Sequence, residues 1–92
     1  MHISYDPAKN LRNIQERGLS FDQADDFDFE GALFAIDVRE DYGEIRYVGL
    51  GLLDGRVHVI CFLETSTGIR VISFRKANAR EVKRYEQAKS PD

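Results

Sequence analysis

From Ile69 to Arg80 the chain reads Ile-Arg-Val-Ile-Ser-Phe-Arg-Lys-Ala-Asn-Ala-Arg, which concentrates three guanidinium groups and one ammonium on Arg70, Arg75, Lys76 and Arg80. A hydrophobic core has no use for such a crowd. Phosphate oxygens do, because guanidinium forks and ammonium donors make charge-assisted hydrogen bonds to them. Ser73 and Tyr85 add hydroxyls nearby, and Glu64 adds a carboxylate on the preceding hydrophobic run. The set suits cleavage of RNA without a metal ion. There the ribose 2′-OH is the nucleophile, so a protein need only orient it, stabilise charge on the phosphorane-like transition state and assist two proton transfers. One well-placed donor contributes roughly 3–4 kcal/mol, by analogy with oxyanion holes. Arginine stays protonated and cannot be the base; Glu64, a neutral Lys76 or His58 would have to serve. Residue types thus give a catalytic set of Glu64, Arg70, Arg75, Lys76 and Arg80, with His58, Ser73, Lys83, Arg84 and Tyr85 as RNA contacts. Ordinary accounts exist beside this one. Arg80, Lys83 and Arg84 also fit a solvated helix face, and His58 also fits a hydrogen-bonded sheet histidine.

Other chemistries find no support. His2 and His58 are isolated from each other and from carboxylates at ligand spacing, so no metal or other cofactor is expected. There is no phosphate loop, no dinucleotide-binding glycine motif and no nucleophile–base set. The single cysteine, Cys61, lies in an apolar run and reads as a buried thiol, in keeping with a reducing cytoplasm. No apolar run approaches the ~20 residues of a membrane span, and the N-terminus has no signal-peptide pattern. Residues 1–46 hold 11 Asp/Glu against 5 Lys/Arg, whereas residues 47–92 hold 5 against 8, so the net charge of −3 belongs to the N-terminal half. A locally positive site is compatible with that balance, although steering toward a polyanion is weaker than for a basic protein.

The elements that must position these residues are legible from caps and turns. With 92 residues, 42% hydrophobic and 32% charged, the chain makes one soluble domain. Ile3–Asp6 is a short strand-like entry. Asp6-Pro7 starts a helix that runs through Leu11 and Ile14 to Arg17 and stops at Gly18. Ser20 caps a second short helix from Phe21. The acidic stretch Asp25–Glu30, with Phe27 and Phe29 interleaved, reads either as a solvated loop pinned by aromatic anchors or as a surface for a basic partner. Ala32–Val38, Ile45–Leu53, Arg56–Glu64 and Ile69–Phe74 read as strands, the middle pair joined by the hairpin turn Asp54-Gly55. Asn78, with Glu81 three residues on, caps a last helix to about Lys89. The expected fold class is α+β: N-terminal helices packed on a three- to four-stranded antiparallel sheet, closed by a C-terminal helix.

A two-residue Asp54-Gly55 loop pairs Leu52 with Val57, Leu50 with Val59 and Val48 with Cys61. A four-residue second loop would pair Cys61 with Ile72 and Val59 with Phe74, making this face the core. The opposite face, with Tyr47, Gly49, Gly51, His58, Ile60, Phe62, Val71, Ser73 and Arg75, is then expected to be a groove or partner surface whose two glycines leave low ground.

At these residues the chain resembles the BrnT family of bacterial toxins. The resemblance runs over nearly its whole length: Tyr5-Asp6-Pro7-Ala8-Lys9, Asn13, Gly18-Leu19-Ser20-Phe21, Ala24, Arg46, Gly49, Glu64, and above all Ile69–Ala77 followed by Glu81 and Tyr85. It implies a RelE-like ribonuclease fold and RNA cleavage as the toxic activity, with functional weight on Glu64, Arg70, Arg75, Lys76 and Arg80. It also implies a partner, a BrnA-like antitoxin whose ribbon-helix-helix part binds operator DNA, in a heterotetramer of two toxins and two antitoxins. Two rival readings stay open: the same fold kept as a non-catalytic, antitoxin-binding co-repressor module, and a plain RNA-binding domain using Tyr47 and Phe62 as stacking platforms.

Overall fold

The computed structural model describes residues 1–91. Five strands, β1 (His2–Ser4), β2 (Leu33–Ile36), β3 (Tyr47–Leu53), β4 (Arg56–Glu64) and β5 (Gly68–Lys76), form one sheet in the order β1-β5-β4-β3-β2. Helix α1 (Pro7–Arg17) and a 3₁₀ helix (Phe21–Asp26) precede β2, and helix α2 (Ala79–Lys89) follows β5. The α+β class holds, but the three- to four-stranded antiparallel sheet is corrected to five strands of mixed direction. β1 lies parallel to β5, with Ile3 opposite Ile69 and the His2 N–H donating to Thr67 O at 3.0 Å. Such a strand has no turn of its own to announce it. What admits it is Gly68, where a Cβ would run into the backbone of His2.

The caps hold as their residue types require. Asp6 accepts the Ala8 N–H, and Ser20 and Asn78 each form a reciprocal capping box, with Gln23 and Glu81. Asp54 and Gly55 both have positive φ, 51° and 76°, the geometry of a two-residue hairpin turn matched to strand twist.

The sheet is covered on both faces. One face carries the larger core: Ile60, Phe62, Val71 and Phe74 from the strands meet Leu19, Phe21, Ala24 and Phe27 from the N-terminal segment. Phe74, Ile60 and Val71 are sealed from solvent, each contributing about 1.5–3 kcal/mol by burial. On the other face Tyr85 and Val82 of α2 pack on Leu50, Val57, Val59 and Ala77. The face expected to be a groove is therefore the principal core. Its glycines do leave low ground, but Phe34 fills the space over Gly49 and Phe27 that over Gly51.

The N-terminal segment covers that face, and a bulge adds Phe74 to it. The β3–β4 register is as expected, but in the β4–β5 ladder Phe62 pairs with Val71 and Cys61 with Ser73, leaving Ile72 as the extra residue. Ile60 thus faces Phe74, Val59 faces Arg75 and His58 faces Lys76, in place of the expected Cys61–Ile72 and Val59–Phe74 pairs. Strict alternation would have put Arg75 beside His58. The bulge puts Lys76 there and turns Arg75 toward α2.

Helix α1 is not held by an apolar stripe, since Leu11 and Ile14 remain exposed. Two buried asparagines hold it instead. Asn10 Oδ1 accepts the Phe21 N–H at 2.7 Å, and Asn13 donates to Leu19 O and to Phe74 O, both at 2.9 Å. Among the described residues no helix is long and apolar enough to cross a membrane.

Candidate active site

His58 is the buried polar side chain around which a site can be built. It lies on β4 at 4% exposure, and its Nδ1 is 2.8 Å from the carbonyl oxygen of Arg56. A carbonyl only accepts, so Nδ1 carries the proton and donates. In the neutral ring Nε2 then holds a lone pair. Among the described residues no buried side-chain nitrogen or oxygen lacks a partner, and no protein group bonds Nε2; that nitrogen therefore opens to solvent. The opening is a cavity of about 530 Å³ that His58 shares with Arg17, Gly18, Leu19, Gln23, Leu53, Asp54, Arg56, Arg75 and Lys76.

Each cation reaches the cavity through a local structural cause. Arg17 ends α1 and is steadied by donating to Asn13 Oδ1 at 2.8 Å. Arg56 follows the hairpin turn and, two residues from His58, projects to the same side of β4. Lys76 stands directly opposite His58 across the β4–β5 ladder, a spacing of roughly 5 Å between Cβ atoms. Among the described residues Asp54 is the only carboxylate lining the space. Three exposed cations and an imidazole with a free nitrogen thus converge on one concave surface. That arrangement can hold a phosphodiester and accept a proton from a group beside it.

Arg75 does different work. Its two terminal nitrogens donate to the two carboxylate oxygens of Glu81 at 2.8 and 2.9 Å. Glu81 also accepts the Asn78 N–H at 2.9 Å. The guanidinium beside it and these hydrogen bonds hold the Glu81 carboxyl down at about 2, and the same pairing raises Arg75. The fork bolts the end of β5 to the first turn of α2.

The residues singled out from sequence do not all meet. Lys76 and His58 line the cavity, with Arg75 at its wall. Glu64 and Arg70 lie at the far end of the same two strands, Glu64 opposite Ile69 and Arg70 opposite Leu63. Six positions along β4 separate Glu64 from His58, roughly 20 Å at the rise of a strand. Arg70 lines a separate hollow with Lys9, Arg46 and Glu44. Ser73 faces Cys61, away from His58. Arg80, Lys83 and Arg84 are exposed on α2. Tyr85 is buried in the smaller core, so its ring is not available to stack on a base. The residues expected to share one corner are thus divided between the two ends of the β4–β5 ladder, His58 and Lys76 at one and Glu64 and Arg70 at the other.

Sequence reasoning missed Arg17, Gln23, Asp54 and Arg56. A signal existed for Arg56, which shares strand parity with His58. None existed for Arg17, brought in only when α1 docks through Asn13.

The model of one protein family, described as ribonuclease toxin, BrnT, of type II toxin–antitoxin system, matches residues 5–81. No curated protein matches the chain.

Proposed function

The chain belongs to the BrnT family of ribonuclease toxins of type II toxin–antitoxin systems, and from that premise we propose that it cleaves RNA in the His58 cavity, without a metal ion. RNA as substrate and an antitoxin as partner follow from the family. The placement of the chemistry rests on one observation: a buried imidazole whose free Nε2 opens among Arg17, Arg56 and Lys76. In the proposed reaction Nε2 of His58 takes the proton of the ribose 2′-OH, whose oxygen attacks the adjacent phosphorus. The bond to the 5′-oxygen breaks, leaving a 2′,3′-cyclic phosphate, and the leaving oxygen takes a proton from Lys76. Arg17 and Arg56 stabilise the charge on the equatorial oxygens. A cavity with three free cations and one carboxylate favours a phosphodiester over a divalent ion, which supports the metal-free route.

The partner in this reading is a BrnA-like ribbon-helix-helix antitoxin in the cytoplasm, two with two toxins. Operator DNA is contacted through the antitoxin, since a chain of net charge −3 is a poor ligand for a duplex. Controlled expression in bacteria tests the activity, with growth and total RNA followed together at matched soluble protein. Wild type is expected to arrest growth and deplete RNA, and His58→Asn and Lys76→Ala to do neither. Intact RNA and normal growth with wild type would overturn the reading and favour a non-catalytic co-repressor that only binds its antitoxin.

A further inference from the structure

The outer edge of β2 is open, apolar and framed by carboxylates. Asp37 donates its N–H to Arg46 O at 2.8 Å, so the amides of Leu33, Ala35 and Asp37 face β3. By the two-residue alternation of an antiparallel ladder those of Phe34, Ile36 and Val38 face outward, where β2 has no neighbouring strand among the described residues. These three residues are 46%, 54% and 84% exposed. The strand Leu-Phe-Ala-Ile contains no lysine, proline or bulge of the kind that blunts a free edge.

Charge selects the occupant. Residues 28–46 carry six carboxylates against two arginines, Arg39 and Arg46. Arg39 is spent on Asp37, to which it donates at 2.9 and 2.7 Å, and Arg46 on Glu44, at 2.9 Å. Asp28 and Glu30 are exposed before β2, and Glu40 and Asp41 after it. A second copy pairing antiparallel through β2 would bring the acidic end of one edge against the acidic end of the other. A polyanion would be repelled. We propose that this edge is a docking strand for an extended segment of a partner protein, with alternating apolar residues and basic residues interspersed, added as a sixth strand by main-chain pairing. No residue of β2 lines the His58 cavity, so the proposal stands or falls apart from the cleavage reading.

The test uses the whole chain and three short synthetic peptides: alternating valine and lysine, alternating valine and glutamate, and the lysine peptide with alternate amides N-methylated. Amide hydrogen exchange is followed residue by residue. The lysine peptide is expected to slow exchange at Phe34, Ile36 and Val38 by more than about tenfold, and the other two peptides to leave it unchanged. Ile36→Lys, at a half-exposed position, should abolish the response while RNA cleavage persists. Should that variant fail to fold, the N-methylated peptide on wild type still decides. No slowing by the lysine peptide, or equal slowing by all three, would overturn the proposal. Slow exchange at the same amides in the protein alone, rising with concentration together with a dimer in sedimentation, would overturn it in favour of a second copy.

Discussion

His58 and Lys76 stand directly opposite one another across the β4–β5 ladder, and they do so because Ile72 is an extra residue in β5. One bulge thus decides which of two adjacent cations, Arg75 or Lys76, shares a surface with the imidazole. It also leaves Arg75 free to clamp Glu81.

Replacing His58 separates its structural from its chemical role. An asparagine can reproduce the donor that Nδ1 offers to Arg56 O, but it has no titrating nitrogen. His58→Asn is expected to lower cleavage of a model RNA by about 10²–10⁴, the usual worth of a general base, with far-ultraviolet dichroism unchanged. Cleavage retained at wild-type rate would remove His58 from the mechanism.

Arg17, Arg56 and Lys76 are exposed and free to meet phosphate, whereas Arg75 is engaged. Neutralising one free cation should weaken binding of a non-cleavable single-stranded RNA and reduce the slope of log K against log salt by about 0.7 per lost contact. Arg75→Gln should leave that slope unchanged and instead lower thermal stability. Equal changes of slope for Arg75 and Arg56 would argue against this division of labour.

Much of the fold is legible in the sequence, and the remainder fails for a definite reason. Asp6, Ser20, Asn78 and the Asp54-Gly55 turn were legible because each is a local device whose residue type satisfies its own backbone. The β3–β4 register followed from a two-residue loop. The β4–β5 register did not, because a bulge is invisible to period-two counting and shifts every later side chain to the other face. That single slip sets Arg75 on the wrong surface and takes Phe74 out of the core it helps to seal, whereas the groove reading of that face fails because the N-terminal segment packs on it. The parallel β1 and the docking of α1 through Asn10 and Asn13 depend on residues distant in sequence, for which a local pattern carries no signal. Glu64 and Arg70 look like companions of Lys76 in the sequence, but extended strands spread such neighbours to opposite ends of the ladder.

The Arg75–Glu81 fork makes an acid-sensitive joint. Glu81 is held at about 2, below its ordinary value near 4.5. Between those values the unfolded chain binds the proton that the folded one refuses, so stability rises with pH and is lost as pH falls through the window. Glu81→Gln should flatten that part of the stability–pH curve. Because Arg75 is over a third exposed, the loss near neutral pH should be about 1 kcal/mol. A curve of unchanged slope between pH 5 and 2, measured by urea unfolding, would contradict the assignment.

The two sheet glycines should differ in their tolerance of a methyl group. A Cβ on Gly49 would come 2.8 Å from Phe34 Cε1, the tip of a half-exposed ring that can swing outward. On Gly51 it would meet Phe27 Cζ at 2.6 Å, Ala32 Cβ at 2.9 Å and the Asp28 backbone oxygen at 3.1 Å. Phe27 is buried, and the Asp28 backbone is fixed by its own N–H bond to Leu52 O, so nothing there yields cheaply. Gly51→Ala should therefore cost about 1–3 kcal/mol, as overpacking does, and Gly49→Ala distinctly less. Gly51 also lies directly opposite His58 on β4, so Gly51→Ala should depress cleavage as well as stability, while Gly49→Ala spares cleavage. Paired urea melts and cleavage assays would check this. Equal destabilisation by the two substitutions would mean that the Phe27 segment is as free to move as the Phe34 ring.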